Sequence, residues 1–125
     1  MILSFPQDRF MDRIISGTKI HTFRTDKTDR WLPGKKVHFW RGNPRNKGSY
    51  FFAESRCILT LNARISDIEK GVWIKSIGQV HDLDQLATDD GFDSWEEMKN
   101  FFPPEWTGKL IAWSHEITRR LRINP

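Results

Sequence analysis

One cysteine, Cys57, is present in 125 residues. A lone thiol closes no internal disulfide and builds no thiolate zinc site, which excludes a disulfide-stapled secreted scaffold. No apolar run approaches the roughly 20 residues of a membrane-spanning helix. No membrane partner is therefore expected. The opening segment MILSFPQDRF holds charged residues and a proline where an export leader is apolar, so no secretory signal is expected and the expected location is cytoplasmic. Internal repeats, low-complexity tracts and linkers are also lacking. What is abundant is aromatic: nine Phe and six Trp, within 38% hydrophobic and 29% charged residues. That is too much large apolar surface for a disordered chain. At 14.8 kDa the expectation is one globular domain over residues 1–125. Lys and Arg exceed Asp and Glu by 20 to 16, with a pI near 9.5. A basic surface attracts phosphates, although many merely solvated surfaces carry such an excess.

Residues 2–5 read as a strand stopped by Pro6. Asp8 is placed as a helix N-cap. Phe10, Met11, Ile14 and Ile15 then recur at helical spacing, giving a helix over 8–16 with one buried stripe and with Asp12 and Arg13 facing water. Gly17 stands where a left-handed C-terminal glycine ends such a helix. I-H-T-F-R, 20–24, is a strand by its β-branched and aromatic content. TDKTDRWLPGKK is a polar loop turning at Pro33-Gly34. VHFW, 37–40, is the next strand and 41–49 the next loop. A β-rich stretch runs from Tyr50 to His81, interrupted at Gly71 and Gly78. Asp82 with Gln85 opens a turn over 83–88. Ser94 with Glu97 is a capping box opening a helix through Met98, Phe101 and Phe102, which Pro103-Pro104 ends. GKLIAWSHEI, 108–117, reads as the last strand, before a basic tail of Arg119, Arg120 and Arg122. The order does not alternate as a βαβ fold would. An α+β, mainly β class is expected: a small, mostly antiparallel β-barrel with short helices packed on its ends.

Chemistry is concentrated in Gly17-Thr18-Lys19-Ile20-His21-Thr22-Phe23-Arg24. A helix-to-strand turn of this kind can aim several polar groups into one cleft held rigid on both sides. On a regular strand Thr22 and Arg24 share a face, and Lys19 lies on the other unless the turn at Gly17-Thr18 rotates it round. The same residues also suit a plain polar strand edge. His21, His38, His81 and His115 lack close metal-ligand spacing, and His38 and His115 fall within expected strands. No metal and no cofactor are expected. Cys57 reads as core. Most tryptophans also read as core, Trp113 in particular, while Trp31 or Trp40 on a cleft rim could stack on a base. Arg41, Arg45 and Lys47, with Arg30, Lys35 and Lys36, form the densest basic region, either a solvated loop or a rim that contacts a nucleic-acid backbone.

Gly17, Lys19, Thr22 and Arg24 fit the pattern G-x-K-x-x-[ET]-x-R. With the leading amphipathic helix, the W-x-x-G-K turn at Trp31–Lys35, DGFDSWEEMKNFF and the strand GKLIAWS, the chain resembles the ASCH domain, a β-barrel relative of the PUA RNA-binding fold. It is similar to small stand-alone versions, including phage-type proteins. The resemblance implies a cleft for RNA or a modified nucleoside. In the branch that hydrolyses the amide of N4-acetylcytidine, the motif's Lys and Thr act with a Glu from the helical segment. Lys19 and Thr22 match the first two. The acid position holds Asp90, or Asp89 with a one-residue slip, one methylene shorter than Glu. The resemblance thus implies Lys19, Thr22 and Asp90 as a catalytic set without metal. Arg24, His21, Trp31, Arg41 and Arg45 would contact the ligand. Some family members also admit a ribonuclease.

Thr22 would serve as the nucleophile and a desolvated Lys19 as its base. Asp90 would orient the lysine or a water, and Arg24 would hold a carbonyl or phosphate oxygen. For Asp89-Asp90-Gly91 taken alone, turn chemistry is the better account.

Overall fold

Leu3 and Phe5 are buried on one side of strand β1 (Ile2–Phe5), while Ile2 and Ser4 point the other way, the period-two alternation of a sheet with one covered face. The computed structural model describes residues 1–25 and 30–122; the part of the expected polar loop at 26–29 lies outside the described residues. β1 pairs in parallel with β3 (Lys36–Arg41), and β3 pairs antiparallel with β4 (Tyr50–Arg56). Val37 and Phe39 extend the buried face. A bulge between Phe39 and Trp40 frees Phe52 to stack on Phe39.

The second sheet has the order β2-β8-β5-β6-β7, all neighbours antiparallel. Its strands are β2 (His21–Arg24), β5 (Leu59–Ser66), β6 (Gly71–Ile74), β7 (Gly78–Gln79) and β8 (Glu105–Ala112). Helices α1 (Asp8–Ser16), α2 (Leu83–Asp89), α3 (Trp95–Phe101) and α4 (Glu116–Arg120) complete the described elements. One continuous core joins both sheets and the helices, from Leu3 and Phe39 through Ile111 to Met98 and Ile117. The fold is α+β and mainly β. Among the described residues the strands form two separate sheets and do not close into a single barrel, and β1–β3 is a parallel pair. No described helix is long and apolar enough to cross a membrane.

Several local expectations are met. The 8–16 helix has the expected limits, and Gly17 ends it at φ 85° with its N–H bonded to Ile14 O. Asp82 and Ser94 cap α2 and α3, accepting from Gln85 N and Glu97 N.

Others are corrected. Gln7, not Asp8, is the N-cap of α1, and the Asp8 carboxylate instead receives Arg41 Nε at 2.6 Å. Ile15 is 63% exposed, because only Phe10 and Ile14 of the stripe face the core. Arg13 is half-buried rather than solvated, since its guanidinium reaches Gly91 O and Asp93. The last strand begins at Glu105 and ends at Ala112, in register with Ser66 to Leu59 of β5. Ile117 of α4, with Trp113 before the helix and Leu121 at its C-cap, then enters the core, and His115 is the N-cap of α4 rather than part of a strand.

Candidate functional site

The turn after Gly17 decides where Lys19 goes. Lys19 N–H bonds to Arg13 O at 2.9 Å, and Ile20 N–H bonds to Asp89 O at 2.8 Å. These bonds tie the start of β2 to the end of α1 and the end of α2. Lys19 precedes the strand, so strand alternation does not govern its side chain. It is 2% exposed. Its Nζ donates to His21 O at 2.8 Å and to Asp90 O, and lies 3.7 Å from Asp90 Oδ1. The rings of Phe5, Phe10 and Trp113 surround it at 5.3, 5.4 and 5.8 Å from Nζ to centroid, which favours the cation.

Asp90 ends α2, and Gly91 at φ 94° turns the chain away beneath Lys19. Asp90 Oδ1 accepts from His21 Nδ1 at 2.8 Å. Because a carboxylate only accepts, Nδ1 carries the proton. His21 is fully buried, and its Nε2 has no hydrogen-bond partner among the described residues. The Arg24 guanidinium lies 4.9 Å over the Phe5 ring and donates to Ser4 O at 2.8 Å.

Lys19, Thr22, Arg24 and Asp90 line one cavity of about 260 Å³ together with Phe5, Phe10, Phe23, Phe92, Phe101 and Phe102. The turn at Gly17-Thr18 thus brings Lys19 to the cavity shared by Thr22 and Arg24. Lys19 and Asp90 meet. The Thr22 hydroxyl shares their cavity, but no described residue hydrogen-bonds it. Asp90 and Asp89 face different ways: the Asp89 carboxylate accepts from Gln85 Nε2 at 3.0 Å and from Arg120 at 3.3 Å. The other residues singled out in the sequence lie elsewhere. His21 sits behind the Asp90 carboxylate and off the cavity wall. Trp31 is 3% exposed, its Nε1 finds no hydrogen-bond partner among the described residues, and it offers no face to a base. Arg41 is engaged by Asp8, Arg45 is exposed on its loop, and neither lines the cavity. The phenylalanine walls were readable only as core, since apolar periodicity does not distinguish a packed ring from one facing a void.

Burial pushes the Lys19 ammonium down from 10.5 to about 8, Asp90 opposes this, and Arg24 adds to it. At neutral pH roughly a tenth of the lysine is therefore the free amine. A neutral amine has two N–H bonds and one lone pair. The carbonyls of His21 and Asp90 can take both N–H bonds, leaving the lone pair free to accept a proton.

The depressed value also has a stability consequence. The unfolded lysine keeps its proton up to about 10.5, whereas the folded one releases it near 8. Between those limits the unfolded chain binds more protons, so stability rises with pH across that window and is level in this respect below it. The expected rise is about 3 kcal/mol. Urea titrations of wild type and Lys19→Met at pH 7, 9 and 10.5 measure it. Parallel pH dependences in the two proteins would refute a buried, proton-releasing amine.

Comparison with known family models, with curated proteins and with solved structures gives no match. What the fold and site define is a two-sheet α+β protein with a buried lysine–aspartate pair on a phenylalanine-lined cavity.

Proposed function

We propose that this chain is an ASCH-type domain, its two sheets an open form of a PUA-like barrel, and that it recognises RNA or a modified nucleoside in the Lys19–Asp90 cavity. The supporting observation is a buried amine and carboxylate on a small space walled by six phenylalanines. Such a space suits one planar heterocycle. The rings pack against it, while Lys19 and Thr22 offer donors and Asp90 an acceptor to its polar edge. Arg24 suits an attached carbonyl or phosphate oxygen.

A second reading, an N4-acylcytidine amidohydrolase, is favoured by the lowered Lys19 pKa and the unengaged Thr22 hydroxyl. In that reaction Thr22 Oγ1 bonds to the acyl carbon and its proton passes to the Lys19 amine. The carbon–N4 bond then breaks as that proton moves to N4, releasing cytidine and leaving an acyl-threonine ester. Water hydrolyses the ester to the free acid and restores the hydroxyl.

The test is incubation with N4-acetylcytidine, following cytidine by chromatography, beside nucleoside titrations watched by NMR. Turnover that falls by about 10²-fold or more in Lys19→Ala and in Thr22→Val identifies the hydrolase. Saturable binding without release leaves recognition alone. Absence of both binding and release, for free nucleosides and for RNA carrying them, would refute the two readings together.

A further inference from the structure

The outward positions of the three-stranded sheet are half-exposed or exposed, and several are aromatic. Alternation along β3 sends Val37 and Phe39 inward and Lys36, His38 and Trp40 outward. The bulge restores the same facing for Phe51, which pairs with Trp40 and is 50% exposed. Trp40 and His38 meet the Phe51 ring edge-on, at centroid distances of 6.4 and 5.9 Å. The three rings are inclined to one another and do not cover each other face to face. Positive charge stands at both ends of this row. Lys36 and Arg56 are opposite each other on the outward face, and exposed Arg45 and Lys47 lie on the loop that joins Arg41 to Tyr50. Glu54 is the single acid at the sheet's outward positions, and it is shared by His38 at 3.2 Å and Lys36 at 3.9 Å.

We propose that this face is a stacking platform for single-stranded nucleic acid, with bases on Trp40 and Phe51 and phosphates at Arg45 and Lys47. For the kind of ligand this rests on the nucleotide reading of the cavity, but it uses none of the cavity's chemistry. Charge selects this occupant over a second copy of the chain. Because both ends of the row are positive, a two-fold interface through the face would bring cations of the two copies together. An anionic strand of bases satisfies both features, because every base has a face for the rings and every phosphate a charge for the rim. The platform also adjoins the cavity. Ser4 of β1 stands beside Trp40 in register and itself lines the cavity. A strand stacked on Trp40 that continues across β1 reaches the cavity edge at its next nucleotides. The natural ligand of the cavity is then a nucleotide within a strand rather than a free nucleoside.

The test uses a fluorescent ten-nucleotide pyrimidine RNA, its DNA counterpart and free N4-acetylcytidine. Wild type should bind one or both oligonucleotides. Trp40→Ala combined with Phe51→Ala should weaken that binding by about tenfold or more, with nucleoside binding unchanged and a cooperative thermal melt retained. Arg45→Ala with Lys47→Ala should reduce the slope of log affinity against log salt by about 1. Lys19→Ala should lose the nucleoside and keep most of the oligonucleotide affinity, so failure of the cavity reading and failure of the platform register separately. The proposal is overturned if neither oligonucleotide binds. It is equally overturned if the aromatic double variant binds them as wild type does. Sedimentation showing a dimer that the double variant abolishes and the oligonucleotide does not compete with would assign the face to self-association and overturn it as well.

Discussion

Asp90→Asn is expected to lower the unfolding free energy at pH 7 by about 3–5 kcal/mol. The substitution keeps the shape of the side chain and removes its charge. Asp90 is 2% exposed, and its carboxylate is the only acid within ion-pair distance of Lys19 among the described residues. Without it the lysine ammonium keeps two carbonyls and three rings, none of which carries a formal charge. A buried pair broken on one side costs more than the pair contributed, because the remaining charge stays away from water. Asp90 holds the Lys19 value up, so the variant's lysine should release its proton below 8. The deficit should therefore shrink as pH rises past 8, where the wild-type lysine is also neutral. Urea denaturation at pH 7 and pH 9.5, with the lysine followed by NMR, measures both effects. A variant as stable as wild type at pH 7, with its lysine titrating unchanged, would show that the two groups do not interact as charges. His21, bonded to the same carboxylate oxygen, would then be its main partner.

Gly91→Ala should cost about 3 kcal/mol or more. Two effects add. Gly91 has φ 94°, a region in which an L side chain costs about 1–2 kcal/mol. A Cβ there would also lie 2.9 Å from Lys19 Cδ and 3.0 Å from Phe10 Cδ1. Neither neighbour yields easily. Lys19 is held at its amine by two carbonyls, and Phe10 packs edge-on against Phe92 at 5.4 Å. Gly17→Ala is the control. Its φ is 85°, but nothing lies within 4 Å of the added carbon, so it should show the backbone cost alone. Thermal or urea unfolding of both variants separates the steric part from the backbone part. Equal losses in the two would mean that Gly91 is required for its turn and not for the close passage of Lys19.

Local chemistry made much of this molecule legible. The α1 limits, the left-handed stop at Gly17 and the caps at Asp82 and Ser94 depend on residues within a few positions of each other, and they were readable as such. Even the capping box shows where locality ends: Ser94 caps Glu97 N as expected, but Glu97 Oε1 accepts from Asp93 N, one residue before the cap, and its other oxygen from Arg9 of α1. The α4 turn was hidden because Trp113 to Ile117 also fits a strand's mixture of apolar and polar residues, and only packing of Ile117 and Leu121 into the core decides for a helix.

For the site, the sequence by itself determined the ingredients: a lysine, a threonine and an arginine beside a glycine turn, and an acidic pair before another glycine. It also determined that a mainly β core would carry them. Which acid faces the lysine was decided in three dimensions, where the α2 C-terminus points Asp90 at Lys19 and Asp89 at Arg120. So was the rotation of Lys19 toward the side of Thr22, and so was the separation of the strands into two sheets. The physical reason is range. Caps and turns are settled by bonds between neighbours in the chain, whereas the burial that lowers the lysine pKa and sets the cavity arises from groups 71 residues apart in the Lys19–Asp90 contact, brought together only when the core closes.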